Sequence, residues 1–260
     1  MMSAAGKESG ERTHLQLLSC NILAGGSVRH YRQYVTQSWK HVLPARSKRG
    51  NLDRFAKLLA EFDVVGLQEA DAGSLRSGFV NQTEYLAEAA GFPYWSHQPN
   101  RKVAQFAASS NGLLTRFKPT EVLDYPLPGR IPGRGALWVR FGSGDDALIL
   151  LVAHLSLGPT ARKRQFAFLA ELIGRQKHVV LMGDLNCTIH SAELKALFQK
   201  TSLTPPDSAP PTTYPSWRPR RAIDHILTTP TVRVESLRTL PHPVSDHLPL
   251  AATINVPMRL

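Results

Sequence analysis

Met182-Gly183-Asp184-Leu185-Asn186 directly follows the apolar run His178-Val179-Val180-Leu181. A short apolar run that ends in Gly and Asp is typical of a buried strand opening into a loop. Because side chains alternate along a strand, Asp184 and Asn186 are predicted to point the same way, side by side at the rim of a sheet. The stretch therefore predicts a sheet-based fold with a polar site at the ends of its strands.

Polar residues lie at or beside the ends of the other apolar runs as well. They are Asn21 after 15–18, Glu69 after 64–67, His154 after 148–152, Asp224 within 223–227, and Asp246-His247 before the last strand. A lone Asp at a strand end is more often a turn or helix cap, and His154 alone would more often be structural. The repetition indicates one shared rim.

The remaining elements alternate between short strands and helices. Residues 52–62 have apolar side chains at helical spacing, and Asn81-Gln82-Thr83-Glu84 resembles a capping box before a helix that Gly91 stops. Further helices are expected at 159–175 and 191–199, and residues 204–219 form a loop rich in proline. We expect strands at 14–20, 63–67, 94–97, 104–115, 120–125, 136–141, 147–154, 179–182, 222–228, 233–237 and 250–254. This order favours a layered α/β or α+β domain.

The composition is that of an ordinary globular protein. Its 260 residues are 42% hydrophobic and 20% charged, and no apolar run is long enough to span a membrane. We expect a polar, disordered leader at 1–13, a single domain at 14–260, and a monomer in the cytoplasm. Cys20 and Cys187 are predicted to be small buried residues.

Net charge is +11, and the basic excess is concentrated in three clusters. Residues 29–54 hold seven Lys or Arg with Tyr31, Tyr34 and Trp39 nearby; the other clusters are Arg162-Lys163-Arg164 and Arg218, Arg220 and Arg221. Such a balance indicates a polyanionic partner, either nucleic acid or an anionic membrane surface. A solvated basic face that only maintains solubility is the alternative.

The residues at the rim have the chemistry that phosphodiester hydrolysis requires. Carboxylate and amide oxygens from Glu69, Asp246 and Asn21 are the ligands that Mg²⁺ prefers. Asp184 could polarise water, and Asn186 could bind water or phosphate. A histidine beside a phosphate can donate a hydrogen bond or a proton. No Cys pair or HExxH motif indicates zinc.

Seven motifs in order resemble the endonuclease/exonuclease/phosphatase superfamily over about residues 14–256. They are Asn21, Gln68-Glu69, Ser110-Asn111-Gly112-Leu113-Leu114, Ala153-His154-Leu155, Gly183-Asp184-Leu185-Asn186, Ile223-Asp224-His225-Ile226 and Ser245-Asp246-His247. The resemblance implies a four-layer α/β sandwich of two packed mixed sheets flanked by helices. It also implies Mg²⁺-dependent hydrolysis of a phosphoester, with Mn²⁺ as an alternative metal.

The resemblance also assigns a role to each residue of the motifs. Glu69 would be the principal metal ligand, helped by Asn21 and Asp246. Asp184 and Asn186 would orient the attacking water and the phosphate. Asp224 would hold His247, which would stabilise charge on the phosphate. Asn111 and Ser245 would support the site, and His154 would be the leaving-group acid or a second phosphate contact.

One position separates the branches of the superfamily. Abasic-site repair members usually carry Tyr where this chain has His154, whereas the deoxyribonuclease, sphingomyelinase and 5′-tyrosyl-DNA phosphodiesterase branches carry His. No Glu is clearly placed to pair with His154 as in pancreatic deoxyribonuclease; Gln105 lies near the expected strand. The protonation role of His154 therefore stays open.

Three hypotheses follow for the function. A nuclease is favoured by the charge, with Arg162, Arg164, Trp217, Arg218 and Arg221 as substrate-binding residues, because aromatics interleaved with Arg can stack bases and grip phosphates. Trp217 could instead only pack its loop. The alternative enzyme is a phospholipid or small-molecule phosphodiesterase or phosphatase whose basic arm at 29–54 lies on a membrane. A binding module without catalysis is the third hypothesis.

Overall fold

The computed structural model describes residues 12–23, 46–73, 77, 79–103, 107–129, 133–258 and 260. The helices are α1 (Arg46–Leu59), α2 (Gln82–Ala90), α3 (Pro159–Ile173) and α4 (Ala192–Lys200). The strands are β1 (Thr13–Asn21), β2 (Val64–Asp71), β3 (Tyr94–Val103), β4 (Ala107–Thr115), β5 (Glu121–Pro126), β6 (Gly135–Phe141), β7 (Leu148–His154), β8 (His178–Asp184), β9 (Asp224–Thr228), β10 (Arg233–Thr239) and β11 (Leu250–Val256).

The strands form two mixed sheets. The six-stranded sheet has the order β10-β11-β1-β2-β4-β3, and the five-stranded sheet has the order β5-β6-β7-β8-β9. In each sheet one neighbouring pair is parallel, β1 with β2 and β7 with β8, and the other pairs are antiparallel.

Three hydrophobic clusters join four layers. The central cluster lies between the sheets and includes Leu17, Val152 and Ile254. A second cluster packs α1 and α2 on the six-stranded sheet, and a third packs α3 and α4 on the five-stranded sheet. Each Leu, Ile or Phe buried in this way contributes roughly 1.5–3 kcal/mol. The predicted four-layer α/β sandwich is confirmed.

The element bounds follow the predicted ones closely, with three larger extensions. β3 runs to Val103 rather than ending at residue 97, β2 runs to Asp71 rather than ending at residue 67, and α1 begins at Arg46 rather than residue 52. The side chain of Asn81 accepts hydrogen bonds from the backbone N–H groups of Thr83 and Glu84, and Gly91 ends α2 in the left-handed conformation. Cys20 and Cys187 are buried free thiols, as predicted.

Two predicted segments fall wholly or largely outside the described residues. Of the leader at 1–13, only Arg12 and Thr13 are described, and Thr13 already belongs to β1. Of the basic arm at 29–54, residues 29–45 are not described, and 46–54 lie in α1. Across the described part of the chain, no helix combines the length and apolarity that a bilayer crossing requires.

Candidate active site

Sheet register places three predicted site residues in one row at the rim of the five-stranded sheet. Gly135 of β6 pairs with His154 of β7, His154 pairs with Asp184 of β8, and Asp184 pairs with Asp224 of β9. Paired positions on neighbouring strands lie about 5 Å apart, so the three side chains share one small volume. The prediction of a common rim is confirmed for this row.

Gly183 permits the close approach of β7 and β8 beside Asp184. Its φ of +143° favours glycine, and an added Cβ would lie 1.9 Å from the carbonyl oxygen of Ala153. No other residue type fits without moving one of the two strands. The glycine before Asp184 therefore fixes the position of that carboxylate.

Asn186 lies beside Asp184, but strand alternation is not the reason. β8 ends at Asp184, and Asn186 has a left-handed φ of +53°. Its backbone N–H donates to Oδ1 of Asp184 at 3.0 Å, and its Nδ2 donates to the carbonyl of Leu155 at 2.9 Å. The tight turn brings the two side chains together, because Asn tolerates this conformation better than most residues.

Asp184 is buried at the centre of the site. Its Oδ2 accepts from Nδ2 of Asn21 at 3.3 Å and lies 3.4 Å from Nε2 of His154 and 3.9 Å from Nε2 of His247. Burial raises the pKa of Asp184 to about 7; repulsion from Asp224 and Glu69 acts in the same direction, against the attraction of His247. At neutral pH such a carboxylate can both accept and release a proton.

His247 is held by a buried carboxylate. Its Nδ1 donates to Oδ2 of Asp224 at 2.9 Å, and the same oxygen accepts from the hydroxyl of Thr213. Burial alone would lower the pKa of His247. The charges of Asp224, Asp184 and Asp246 outweigh burial and raise the pKa to about 10, so His247 is an imidazolium cation at neutral pH.

The surroundings of His154 disfavour a positive charge on its ring, unlike those of His247. Nη1 of Arg134 contacts both ring nitrogens and is 2.7 Å from Nδ1. Burial lowers the pKa of His154 well below its usual value, and the positive charges of Arg134 and His247 lower it further. His154 is therefore a neutral imidazole. Gln105, the residue considered as its partner from the sequence, lies outside the described residues.

The six-stranded sheet brings Asn21 and Glu69 to the same rim. Asn21 pairs with Gln68, and a β-bulge between Leu67 and Ala70 gives Glu69 a φ of +57°. The bulge turns the Glu69 side chain out of the strand alternation, where it is 29% exposed and lies 3.8 Å from Nε2 of His154. Glu69 therefore lies beside the row of His154, Asp184 and Asp224 on the five-stranded sheet.

Ser245 ties the loop of Asp246 and His247 to β1. Its hydroxyl donates to the carbonyl of Asn21 and accepts from the backbone N–H of His247 at 2.9 Å. The hydroxyl therefore bridges two segments that are far apart in sequence. Asp246 is buried in this loop, and its carbonyl accepts from the backbone N–H of Ser216 at 2.7 Å.

Two sets of side chains at the rim bear on metal binding: one is spaced closely enough to hold an ion, and the other is the set expected from the sequence. Ligand atoms of Asp184, Asp224 and His247 all lie within 4.8 Å of one another, and Oδ1 of Asp224 is buried without a hydrogen-bond partner. In this set, however, Asp224 and His247 are already bonded to each other. The oxygens of Glu69, Asn21 and Asp246 match the preference of a hard divalent cation, and Glu69 remains partly open to solvent. The donor types at the rim match a hard divalent cation, and the spacing of Asp184, Asp224 and His247 allows one.

Asn111 lies beneath the row and bonds to the strand that flanks His154. It is fully buried on β4, and its Nδ2 donates to the carbonyl of Gly135 at 2.8 Å and to Oε1 of Gln98 at 3.2 Å. Gln98 donates in turn to the carbonyl of Ala136 at 3.4 Å. These bonds cross between the sheets at the strand that flanks His154, so they fix the row relative to the six-stranded sheet.

The predicted substrate-binding residues occupy different positions. Arg162 is buried, pairs with Glu193 at 2.6 Å, and donates to the carbonyls of Ser156 and Leu157. These contacts make it a support for the loop after His154. Arg164 is exposed on α3.

Trp217, Arg218 and Arg221 lie in the 213–221 hairpin, which is closed by backbone hydrogen bonds between Tyr214 and Arg221. Arg218 and Arg221 are exposed, and Trp217 is half-buried. The hairpin is docked on the His247 loop, because the ring of Tyr214 lies 5.0 Å from that of His247 and the hydroxyl of Ser216 donates to the carbonyl of Ser245. The basic hairpin is therefore part of the rim.

Sequence analysis missed four contributors, Arg134, Gln98, Thr213 and Tyr214. None lies in a motif or at the end of an apolar run. The Pro-rich composition of 204–219 indicated a loop, but no signal in the sequence showed that this loop packs on His247.

A family model and several solved structures match this chain over most of its length. The sequence model of the Endonuclease/Exonuclease/phosphatase family matches residues 18–247. Among curated proteins, the search found no match.

Solved structures share the fold at low sequence identity. An endonuclease/exonuclease/phosphatase from Beutenbergia cavernae is 20% identical, with a TM-score of 0.73 over 94% of this chain and 72% of that one. The human nocturnin catalytic domain with bound sulfate is 17% identical, with a TM-score of 0.67 over 94% and 97%. A mannosyl-6-phosphatase from Bacteroides thetaiotaomicron is 18% identical, with a TM-score of 0.66 over 92% and 99%.

Proposed function

The chain belongs to the endonuclease/exonuclease/phosphatase family, whose members hydrolyse phosphoester bonds, and we propose that it cleaves phosphodiester bonds in nucleic acid with the help of Mg²⁺. One observation carries this proposal. A buried carboxylate with a pKa of about 7, Asp184, lies 3.9 Å from a buried imidazolium, His247. A base and a fixed cation at this spacing suit attack of water on a phosphate.

Asp184 is the general base of the proposed reaction. A water molecule beside its carboxylate attacks phosphorus, and the carboxylate accepts the proton that the water loses. The bond between phosphorus and the leaving oxygen then breaks, and that oxygen takes up a proton from solvent water. Asn21 and the backbone N–H of Asn186 donate to Asp184 and hold its two oxygens in place.

His247 stabilises the negative charge that develops on the phosphoryl oxygens. Because Asp224 binds Nδ1, the Nε2–H is left to face Asp184 and the substrate. A donor that is fixed before the reaction and carries a full charge is worth about 10²–10³-fold in rate.

Glu69, Asn21 and Asp246 would hold the metal ion. A bound Mg²⁺ would neutralise phosphate charge and act as a Lewis acid on a phosphoryl oxygen. Mn²⁺, with similar ligand preferences, is the alternative. The partly exposed Glu69 side chain leaves one side of the site accessible to solvent and substrate.

The 213–221 hairpin supports nucleic acid as the substrate. Its exposed Arg218, Arg220 and Arg221 lie next to the His247 loop, so a polyanion bound in the site would pass close to them. Trp217 and Tyr214 could stack on bases.

A second candidate, a phospholipid phosphodiesterase, is favoured by two exposed apolar residues. Leu157 is 75% exposed in the loop after His154, and Phe79 is 65% exposed in the segment between β2 and α2. Both loops leave strands that end at the site. Such residues beside a basic hairpin suit an anionic membrane surface.

One experiment separates the candidates. The chain would be incubated with Mg²⁺ on labelled single-stranded and double-stranded DNA and, in parallel, on a panel of phospholipids. Glu69→Gln tests the metal site, and Glu61→Gln, an exposed position at the end of α1, is the matched control. We expect DNA cleavage that Glu69→Gln abolishes and Glu61→Gln retains. Turnover of phospholipid without DNA cleavage would replace the first candidate by the second, and no turnover of either would contradict both.

A further inference from the structure

Arg134 is fixed at the site by the backbone on both sides of it. Its carbonyl accepts from the backbone N–H of Leu127 at 2.9 Å, which closes the β5–β6 connection. The next residue, Gly135, pairs with His154 across the sheet and is held by Asn111. The side chain therefore projects from a rigid position one residue beyond the row of His154, Asp184 and Asp224.

The guanidinium favours the neutral form of His154. Arg can only donate, and its Nη1 contacts both ring nitrogens, so the ring must present a lone pair to it. Nε2 also faces Asp184 at 3.4 Å and Glu69 at 3.8 Å. In the neutral form His154 carries one ring N–H and no positive charge.

Arg134 brings a permanent positive charge to this side of the pocket. The guanidinium is half-buried, so its interaction with an anion is less screened by water than that of a surface Arg. Its planar fork of N–H donors matches two oxygens of a phosphate. His247 supplies the charge on the other side, with Asp184 between the two imidazoles.

We propose that Arg134 binds the phosphoryl oxygens of the substrate, with His154 as an orienting partner rather than the leaving-group acid. This rests on the proposed phosphoester hydrolysis and applies to nucleic acid and phospholipid substrates alike. The phosphoryl group would lie between Arg134 and His247, next to the base Asp184.

The leaving group distinguishes phosphate binding from proton donation. Bis(p-nitrophenyl) phosphate releases a stable phenolate that needs no proton, whereas a dinucleotide releases an alkoxide that does. We expect Arg134→Ala to lower kcat/KM about 10²-fold on both substrates, because a donor to phosphate is lost from both. Added guanidinium should restore part of the rate. Arg134→Lys keeps the charge but lacks the fork of N–H donors. Its kcat/KM should lie between those of wild type and Arg134→Ala and should not rise when guanidinium is added.

Arg140→Ala is the matched control, because Arg140 lies at the other end of β6 and donates to the carbonyl of Gly144. Wild-type rates in Arg134→Ala, or a loss confined to the dinucleotide, would overturn the proposal. Calorimetry of inorganic phosphate binding in the presence of Mg²⁺ tests the phosphate site at Arg134 independently of the proposed hydrolysis. Binding that Arg134→Ala removes and Arg140→Ala retains supports the site even if neither diester is hydrolysed. A wild-type chain that binds no phosphate would overturn it.

Discussion

His154 and His247 are both buried, and both face Asp184, yet their surroundings differ in sign. His247 is bonded to Asp224 and carries a charge, whereas His154 contacts Arg134 and is neutral. Burial disfavours the charged form of either ring, so the neighbour decides the outcome. Three carboxylates outweigh burial at His247, while a guanidinium adds to it at His154. Two identical side chains therefore have different tasks within one small site.

The largest effect is expected from His247→Gln. Glutamine keeps a neutral donor but removes the cation that stabilises the phosphoryl charge, so kcat should fall by about 10³-fold. Steady-state kinetics on a phosphodiester would measure this loss, with His242→Gln, an exposed histidine of the same loop, as the control. A loss below about tenfold would mean that the charge of His247 is not used.

Asp224→Asn should give the next largest effect, because it leaves the imidazole in place and removes its charge partner. We expect a loss of about 10²-fold in kcat. The free energy of unfolding should also change its dependence on pH. The pKa of His247 is about 10 in the folded chain and ordinarily 6.5, so its protonation stabilises the fold fully below pH 6.5, and this contribution is lost as pH rises through 10.

Urea unfolding of wild type and Asp224→Asn at pH 6 and pH 10 would measure this contribution. The wild type should lose more stability between the two pH values than the variant, because the variant lacks the carboxylate that contributes most to raising the pKa of His247. Asp207→Asn, at an exposed position, controls for the change of a carboxylate as such. Equal pH dependence in the two proteins would show that Asp224 does not hold a charged imidazole.

His154→Gln should have a smaller effect than His247→Gln. Because His154 contributes only a neutral hydrogen bond, glutamine replaces part of it, and we expect about a tenfold loss in kcat. His154→Ala, which leaves no donor, should cost about 10²-fold. The exposed His190→Gln is the control. Equal losses in His154→Gln and His247→Gln would remove the difference between the two imidazoles.

The smallest effect is expected in the 213–221 hairpin. Arg221→Ala should leave kcat unchanged, weaken DNA binding by a few fold, and reduce the slope of log affinity against log salt by about 1. Fluorescence anisotropy at several salt concentrations would measure this slope. Arg175→Ala, beyond the end of α3 that is remote from the site, is the control. An unchanged slope in Arg221→Ala would place the nucleic acid elsewhere.

The sequence predicted the site residues that lie in its motifs at the ends of apolar runs. Apolar runs ending in polar residues located Asn21, Glu69, His154 and Asp184, because a buried strand must become polar where it leaves the core. The four-layer fold followed from the resemblance rather than from periodicity, which indicated only a layered domain. Asp224 and His247 were paired by the same resemblance, and the bond at 2.9 Å agrees with it.

Arg134 could not be predicted, since its role depends on register. It lies in the Gly- and Pro-containing segment before β6, and only the pairing of Gly135 with His154 brings it into the site. A shift of one residue in that pairing would turn the side chain to the other face. The turn at Asn186 was missed for a similar reason, because a left-handed φ at a non-glycine residue leaves no clear pattern in one sequence.

The most direct test of the account is the charge state of the two histidines. Long-range ¹H–¹⁵N correlation spectra of the metal-free protein near pH 7.5, about one pH unit above the ordinary histidine pKa, separate neutral tautomers from imidazolium. His154→Gln and His247→Gln would assign the two rings among the ten histidines. We predict an imidazolium at His247 and a neutral ring at His154. Two neutral rings, or a protonated His154, would contradict the account.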